Sequence, residues 1–204
     1  MKTRSIYIVD DDDSIRNSLH SLLSVRSDLL IDCFNSGSAF LQRAGKLDPG
    51  VLILDSHMPG VRGVDVLRTI DRGRFMTIML TGQANVGLAI EVMRAGAVDL
   101  LEKPCDPDML LQAVDAAFEK LKQVRGVAAR TEAAQRKIQR LSERERAVLD
   151  GLIKGQANKV IAYELEISPR TVEIHRAKLM EKLEVRSLSE ALRISFAAGI
   201  VPFE

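Results

Sequence analysis

At 204 residues the chain has room for one large or two small domains, and its 46% hydrophobic and 28% charged residues exclude a disordered or fibrous polymer. The longest apolar runs, such as 51–54 and 76–80, are far short of the roughly 20 residues a membrane helix needs. No leader-like stretch precedes the apolar run 6–9, and Cys33 and Cys105 are too few for a disulfide framework, so the expectation is a soluble, cytoplasmic protein that engages no membrane.

The formal charge of +1 hides an asymmetry. Residues 1–125 hold 15 basic and 17 acidic side chains, a net of −2, whereas residues 126–204 hold 14 and 11, a net of +3. The C-terminal part is therefore the one suited to a polyanion. In the first part, apolar runs at 6–9, 30–34, 51–54, 77–80 and 98–101 alternate with segments of helical period at 14–26, 36–44, 63–72 and 85–95, with a fifth helix opening at Asp106. Five strands alternating with five helices predict a parallel sheet covered on both faces, with functional groups at the C-terminal strand ends.

Beyond Asp106 the helical pattern continues. Leu110, Val114, Ala117, Leu121, Val124 and Ala128 recur in steps of four and three, followed more weakly by Thr131, Gln135 and Ile138. This predicts one long helix that packs against the sheet in its first part and pairs or spaces in its second. Ala, Thr and Gln are poor seam residues, which leaves a coiled coil beyond Val124 open, and Gly126 is its weak point. From Leu141 no strand pattern occurs. Ser142 and Glu145 form a capping box before the first of four short helices, and Gly155 ends it. A second helix covers 158–165. Ser168 caps a third that begins with Pro169, and a fourth starts near Ser187 and ends by Gly199. The short turn at Glu166 and Ile167 makes the middle pair a helix-turn-helix.

The acidic residues carry the chemistry. Four aspartates, 10–13, follow the first strand; Asp55 follows the third, Thr81 the fourth and Lys103 the fifth. Taken singly, each has an ordinary explanation: Asp12 and Asp13 suit a helix N-terminus, and a lone Asp after a strand forms turns. Their joint placement on one sheet edge outweighs those explanations. Carboxylates gathered there repel, so they either raise their pKa or recruit a hard divalent cation, and Mg²⁺ suits a few carboxylates with open positions for phosphate oxygens. The set fits phosphoryl transfer onto a carboxylate, with Asp55 as nucleophile and Lys103 as the cationic partner of the phosphate.

These residues, together with Val9-Asp10-Asp11-Asp12, Leu54-Asp55-Ser56-His57-Met58-Pro59-Gly60, Thr81-Gly82, Gly96-Ala97-Val98-Asp99 and Lys103-Pro104, make residues 4–122 resemble a response-regulator receiver domain. The resemblance implies a flavodoxin-like strand order 2-1-3-4-5 and Asp55 as acceptor of a phosphoryl group from a histidine kinase. It also implies Mg²⁺ ligation by Asp11, Asp55 and the His57 backbone carbonyl, Asp10 acting through water, and a cis Lys103-Pro104 bond. One position departs from the pattern. Leu100 stands where receivers commonly carry a Tyr or Phe that turns inward as the Thr81 equivalent moves, so an aliphatic repacking must carry any signal from Thr81.

The third C-terminal helix is rich in donors: Arg170, Thr171, His175, Arg176, Lys178 and Lys182, opposite the apolar Val172, Leu179 and Leu183. As the second helix of a helix-turn-helix, it would enter the major groove with a strong salt dependence. Residues 138–204 resemble the LuxR-type DNA-binding domain through Leu141-Ser142, Arg144-Glu145, Val148-Leu149, Gly155, Asn158-Lys159, Ile161-Ala162, Leu165, Ile167-Ser168, Thr171-Val172, His175, Lys182-Leu183 and Val185. That resemblance implies base-edge contacts from Glu173, Ile174 and Ala177, and phosphate contacts from Lys159, Arg170, Thr171, His175, Arg176 and Lys178. Glu173 either accepts from cytosine N4 or pairs with a nearby arginine.

The order of the two domains is similar to the FixJ subgroup of response regulators. The expected division is a receiver at 1–122, a helical linker at 123–140 and an all-α four-helix DNA-binding domain at 141–204. The expected partners are a sensor histidine kinase, double-stranded promoter DNA, RNA polymerase and, on phosphorylation, a second copy of the chain paired through the fourth helix and fifth strand. Two rivals are an aspartyl-phosphate hydrolase, disfavoured because His57 stands where a second Asp is common, and a constitutive DNA-binding protein whose first domain only dimerises.

Overall fold

A strand buried on both faces is apolar on both sides, and the first strand shows how that divides the core. In the computed structural model, which describes residues 3–200 and leaves 1–2 and 201–204 outside the described residues, β1 (Arg4–Val9) sends Ile6 and Ile8 into one apolar layer and Tyr7 and Val9 into the other. It pairs with β2 (Leu29–Phe34) and β3 (Gly50–Asp55); β4 (Phe75–Thr81) and β5 (Asp99–Glu102) follow in an all-parallel sheet of order β2-β1-β3-β4-β5. This is the doubly wound receiver architecture expected from the sequence. α1 (Asp13–Ser24) covers one face with Leu19 and Leu23, beside Leu110, Val114, Ala117 and Leu121 of α5 (Pro107–Gln139). The other face is covered by α2 (Gly37–Ala44), α3 (Gly63–Thr69) and α4 (Val86–Ala95) through Phe40, Val66, Leu67 and Val92. Tyr7, Phe34, Phe40 and Phe75 interlock there at centroid distances of 5.3 to 6.5 Å, and the Tyr7 hydroxyl donates to the Asp48 carbonyl at 2.7 Å.

Several boundaries differ from the sequence expectation for local reasons. Ser36 and Asn85 are caps with extended backbone, their side chains accepting from the Ala39 and Leu88 amides, and do not begin the helices themselves. α3 stops at Thr69 rather than at residue 72: Ile70 is extended, and the Asp71 carboxylate accepts from the Gly73 amide to form a turn. β5 starts one residue later than expected. α5 runs 33 residues and passes through Gly126 without interruption. After Leu121 the expected apolar face is only partly kept: Val124, Ala128 and Gln135 are exposed and Thr131 is half-buried, whereas Ile138 is buried as expected, packing with Leu141 in the C-terminal core, and Ala134 is buried as well.

The chain divides into two compact units, 1–125 and 126–204, with the boundary inside α5. The second unit contains, besides the end of α5, α6 (Glu143–Ile153), α7 (Asn158–Glu164), α8 (Pro169–Leu183) and α9 (Leu188–Ala197), with no strand among the described residues. One apolar cluster joins Ile138, Leu141, Leu149, Leu179, Leu183 and Ala191; another joins Val148, Leu152, Ile161, Ala162 and Val172. The Ser142–Glu145 capping box forms as expected. No described helix is long and apolar enough to cross a membrane.

Candidate functional site

The parallel sheet delivers its C-terminal strand ends to one rim, and the charged residues meet there. Asp10, at the end of β1, and Asp55, the last residue of β3, are almost fully buried, while Asp11 is exposed. One carboxylate oxygen from each of the three lies within 4.8 Å of the others. The Lys103 ammonium, just beyond β5, donates to Asp10 Oδ2 at 2.5 Å and to Asp55 Oδ1 at 2.8 Å. Asp55 Oδ2 accepts from the His57 amide at 3.1 Å, and Asp10 Oδ1 from the Asp12 amide at 3.0 Å.

One ammonium against three carboxylates leaves the pocket with an excess of negative charge. Burial, reinforced by the neighbouring Asp10 charge, raises the Asp55 pKa above the ordinary carboxylate range despite the Lys103 and His57 donors. For Lys103 burial works against the charged form, but the hydrogen bonds to Asp10 and Asp55 prevail and hold its pKa above the ordinary lysine value. An all-oxygen donor set with surplus negative charge fits a hard divalent ion such as Mg²⁺, and not a softer metal. Asp12 and Asp13 stand apart from this cluster. Asp12 caps α1 by accepting from the Ser14 and Ile15 amides, and Asp13 pairs with Arg16.

Thr81 is fully buried at the end of β4, beside the pocket, with its hydroxyl donating to the Gln83 carbonyl at 3.2 Å. Leu100 is half-buried and packs on the aromatic layer. The Lys103-Pro104 bond is cis. Two residues that hold the pocket together were not singled out from the sequence. Gly63, the first residue of α3, lies so close to β3 that a Cβ there would stand 2.0 Å from the Asp55 carbonyl oxygen. The Arg16 guanidinium donates to the Asp10 carbonyl at 2.6 Å. A helix that opens on glycine was a readable hint of the first; the spacing of the second from the acidic pair was readable, its bond to the Asp10 carbonyl was not.

In the second unit, α7 and α8 form the helix-turn-helix. Ser168 caps α8 by accepting from the Thr171 amide, Pro169 is its first residue, and Val172, Leu179 and Leu183 are buried. Lys159, Arg170, Glu173, Ile174, Ala177 and Lys178 are exposed, and Thr171, His175 and Arg176 are half-buried on the same helix pair. Glu173 accepts from Arg170 at 3.1 Å. Arg176 donates to Asn158 Oδ1 at 2.6 Å. Lys182, read from sequence as part of the donor face, is half-buried and donates to the buried Glu145 carboxylate at 2.7 Å, a bond within the domain. Among the described residues the His175 Nδ1 is buried without a partner.

Comparison with known proteins decides what these two constructions are. The response regulator receiver domain family matches residues 6–115, and the bacterial regulatory proteins of the luxR family match residues 139–195. The transcriptional regulatory protein FixJ of Azorhizobium caulinodans is 44% identical over 200 residues, covering 97% of this chain and 94% of that protein. The chain belongs to the FixJ subgroup of two-component response regulators. FixJ of Rhizobium meliloti is 38% identical over 204 residues, covering 99% of this chain and all of that one. The structure of the response regulator StyR superposes with a TM-score of 0.83 at 30% identity, covering 95% of this chain and 98% of that one. As in other FixJ-type regulators, a receiver precedes a LuxR-type DNA-binding domain, and the chain is a transcription regulator rather than a conventional enzyme.

Proposed function

We propose that Asp55 is the phosphoacceptor and that its phosphorylation switches the C-terminal domain onto promoter DNA. In this reading residues 1–122 form the receiver, 123–140 the linker and 141–204 the DNA-binding domain. The observation that carries the reading is the convergence of Asp10, Asp11 and Asp55 within 4.8 Å of one another under the Lys103 ammonium. Asp10, Asp11, Asp55 and the His57 carbonyl would hold Mg²⁺, which when bound supplies positive charge against the phosphoryl oxygens.

The Asp55 carboxylate attacks the phosphorus of a kinase phosphohistidine. The P–O bond forms as the P–N bond breaks, and the imidazole leaves with the electron pair. Lys103 then exchanges its hydrogen bond to Asp55 for one to a phosphoryl oxygen. The Thr81 hydroxyl gives up the Gln83 carbonyl for another phosphoryl oxygen and draws the β4–α4 turn with it, while the aliphatic Leu100 side chain repacks on the layer it already contacts. The receivers then pair through α4 and β5, presenting two α8 helices to half-sites about one DNA turn apart. Lys159, Arg170, Thr171, His175, Arg176 and Lys178 contact phosphates, and Glu173, Ile174 and Ala177 face base edges. Further partners in this reading are a sensor histidine kinase and RNA polymerase, and the compartment is the cytoplasm.

Labelling with acetyl phosphate tests the pocket: Asp55→Asn should take up no phosphoryl group, and labelling equal to wild type overturns the assignment. Footprinting with and without phosphodonor tests the switch, since a constitutive binder protects its site equally in both.

A further inference from the structure

The three acids of the pocket are not held equally. Asp10 and Asp55 are buried and fixed by Lys103, and each takes a further backbone donor. Asp11 is exposed, and among the described residues no side chain holds its carboxylate. Its position near the other two therefore rests on the backbone of residues 10–12. That backbone is pinned on one side by its own turn, through the Asp12 amide on Asp10 Oδ1 and the Asp12 cap on α1. On the other side β1 has ended. The Asp10 amide still donates to the Phe34 carbonyl at 3.2 Å, but the Asp10 carbonyl lies past the ladder, and the Arg16 guanidinium takes it at 2.6 Å. Arg16 is itself well fixed. Its amide donates to the Asp12 carbonyl at 3.0 Å, its side chain pairs with Asp13, and only 13% of that side chain is exposed.

We infer that Arg16 is a positioning residue for the divalent-cation site: by clamping the Asp10 carbonyl it sets the peptide from which Asp11 projects toward Asp55. This inference rests on the reading of the acidic pocket as an Mg²⁺ site. It makes a prediction whose sign separates geometry from charge. Arg16 places a positive charge beside an anionic pocket, so deleting it should tighten Mg²⁺ binding if charge were all that mattered. If the clamp positions Asp11, deletion weakens binding, because the loop must then be ordered at the expense of the ion's affinity.

The test is calorimetric titration of the full, unphosphorylated chain with MgCl₂, for wild type, Arg16→Ala, Arg16→Met, Arg16→Lys and Asp11→Asn. Arg16→Ala and Arg16→Met, the latter keeping the aliphatic stem and its packing, should bind Mg²⁺ at least tenfold more weakly. Arg16→Lys, which keeps a charged donor, should recover to within about threefold of wild type. Unfolding in EDTA shows which variants are folded, and the Met variant decides if the Ala variant is not. Unchanged or tighter binding in a folded Ala or Met variant overturns the inference. If wild type fails to bind Mg²⁺, or Asp11→Asn binds as well as wild type, the reading of the pocket itself fails.

Discussion

The two halves of the molecule store charge in opposite ways. In the receiver two of the three clustered acids face inward and are already paired: Asp10 and Asp55 share the Lys103 ammonium and are almost fully buried. In the DNA-binding unit Lys159, Arg170 and Lys178 face solvent, and the buried charge, Glu145, serves the fold through its bonds to Lys182 and the Ser142 amide. The first arrangement ties the proposed function to packing, because anything that shifts β3 shifts Asp55. The second separates them, because an outward cation can be removed without disturbing the core. The comparison predicts that pocket function is sensitive to steric change and weakly sensitive to salt, while DNA binding shows the reverse.

The largest expected effect is steric. Gly63→Ala would drive a methyl group into the Asp55 carbonyl, with no flexible side chain to yield, and should cost more than about 3 kcal/mol in urea unfolding of the receiver. A cost below about 1 kcal/mol would mean that β3 and α3 are loosely joined, and the contrast between the halves would weaken. Next comes Glu145, which caps α6 and pairs with Lys182. Glu145→Gln should destabilise the C-terminal unit by about 2 kcal/mol at neutral pH, read from its urea midpoint. The pH dependence follows from the same contacts. Burial alone would raise the Glu145 pKa, but the Lys182 ammonium and the Ser142 amide hold it below the ordinary glutamate value of 4.5. Its stabilisation is therefore fully present above about pH 4.5 and is lost as pH falls through the lower folded value, and Glu145→Gln should remove that part of the acid sensitivity.

A smaller effect belongs to the exposed face. Lys178→Ala should weaken DNA binding by about 1 kcal/mol, nearly uniformly across sequences, reduce the slope of log affinity against log salt by about 1, and leave the unfolding midpoint unchanged. A shift in that midpoint would show that this side chain also serves the fold. Smallest is Thr77, fully buried in β4 with its hydroxyl lacking a partner among the described residues. Thr77→Val should be neutral or stabilise the receiver by up to about 1 kcal/mol in thermal unfolding, since it removes an unsatisfied group and keeps the shape.

The sheet and the acids on its rim were legible in the sequence because both follow from short-range rules: apolar runs of strand length, and strand ends that a parallel sheet must bring together. The caps Ser142 and Ser168 were legible for the same reason. What escaped were contacts made across the fold. Lys182 reads as one more cation on a basic helix, and only tertiary packing reveals the buried Glu145 beneath it. Gln135 fits the step from Thr131 to Ile138, but it is exposed and Ala134 is buried in its place, while Ile138 packs in the C-terminal core as its position in the series implied. Arg16 pairs visibly with Asp13 at a spacing of three, yet its bond to the Asp10 carbonyl depends on where β1 ends.

The aromatic layer under the sheet has a practical consequence. The chain has no tryptophan and two tyrosines. Tyr7 is sealed among three phenylalanines in one unit, while Tyr163 on α7 is 86% exposed in the other. Each half thus carries its own intrinsic fluorophore, one shielded and one wetted, so that Tyr163→Phe would leave an emission signal that reports on the receiver alone, without any attached dye.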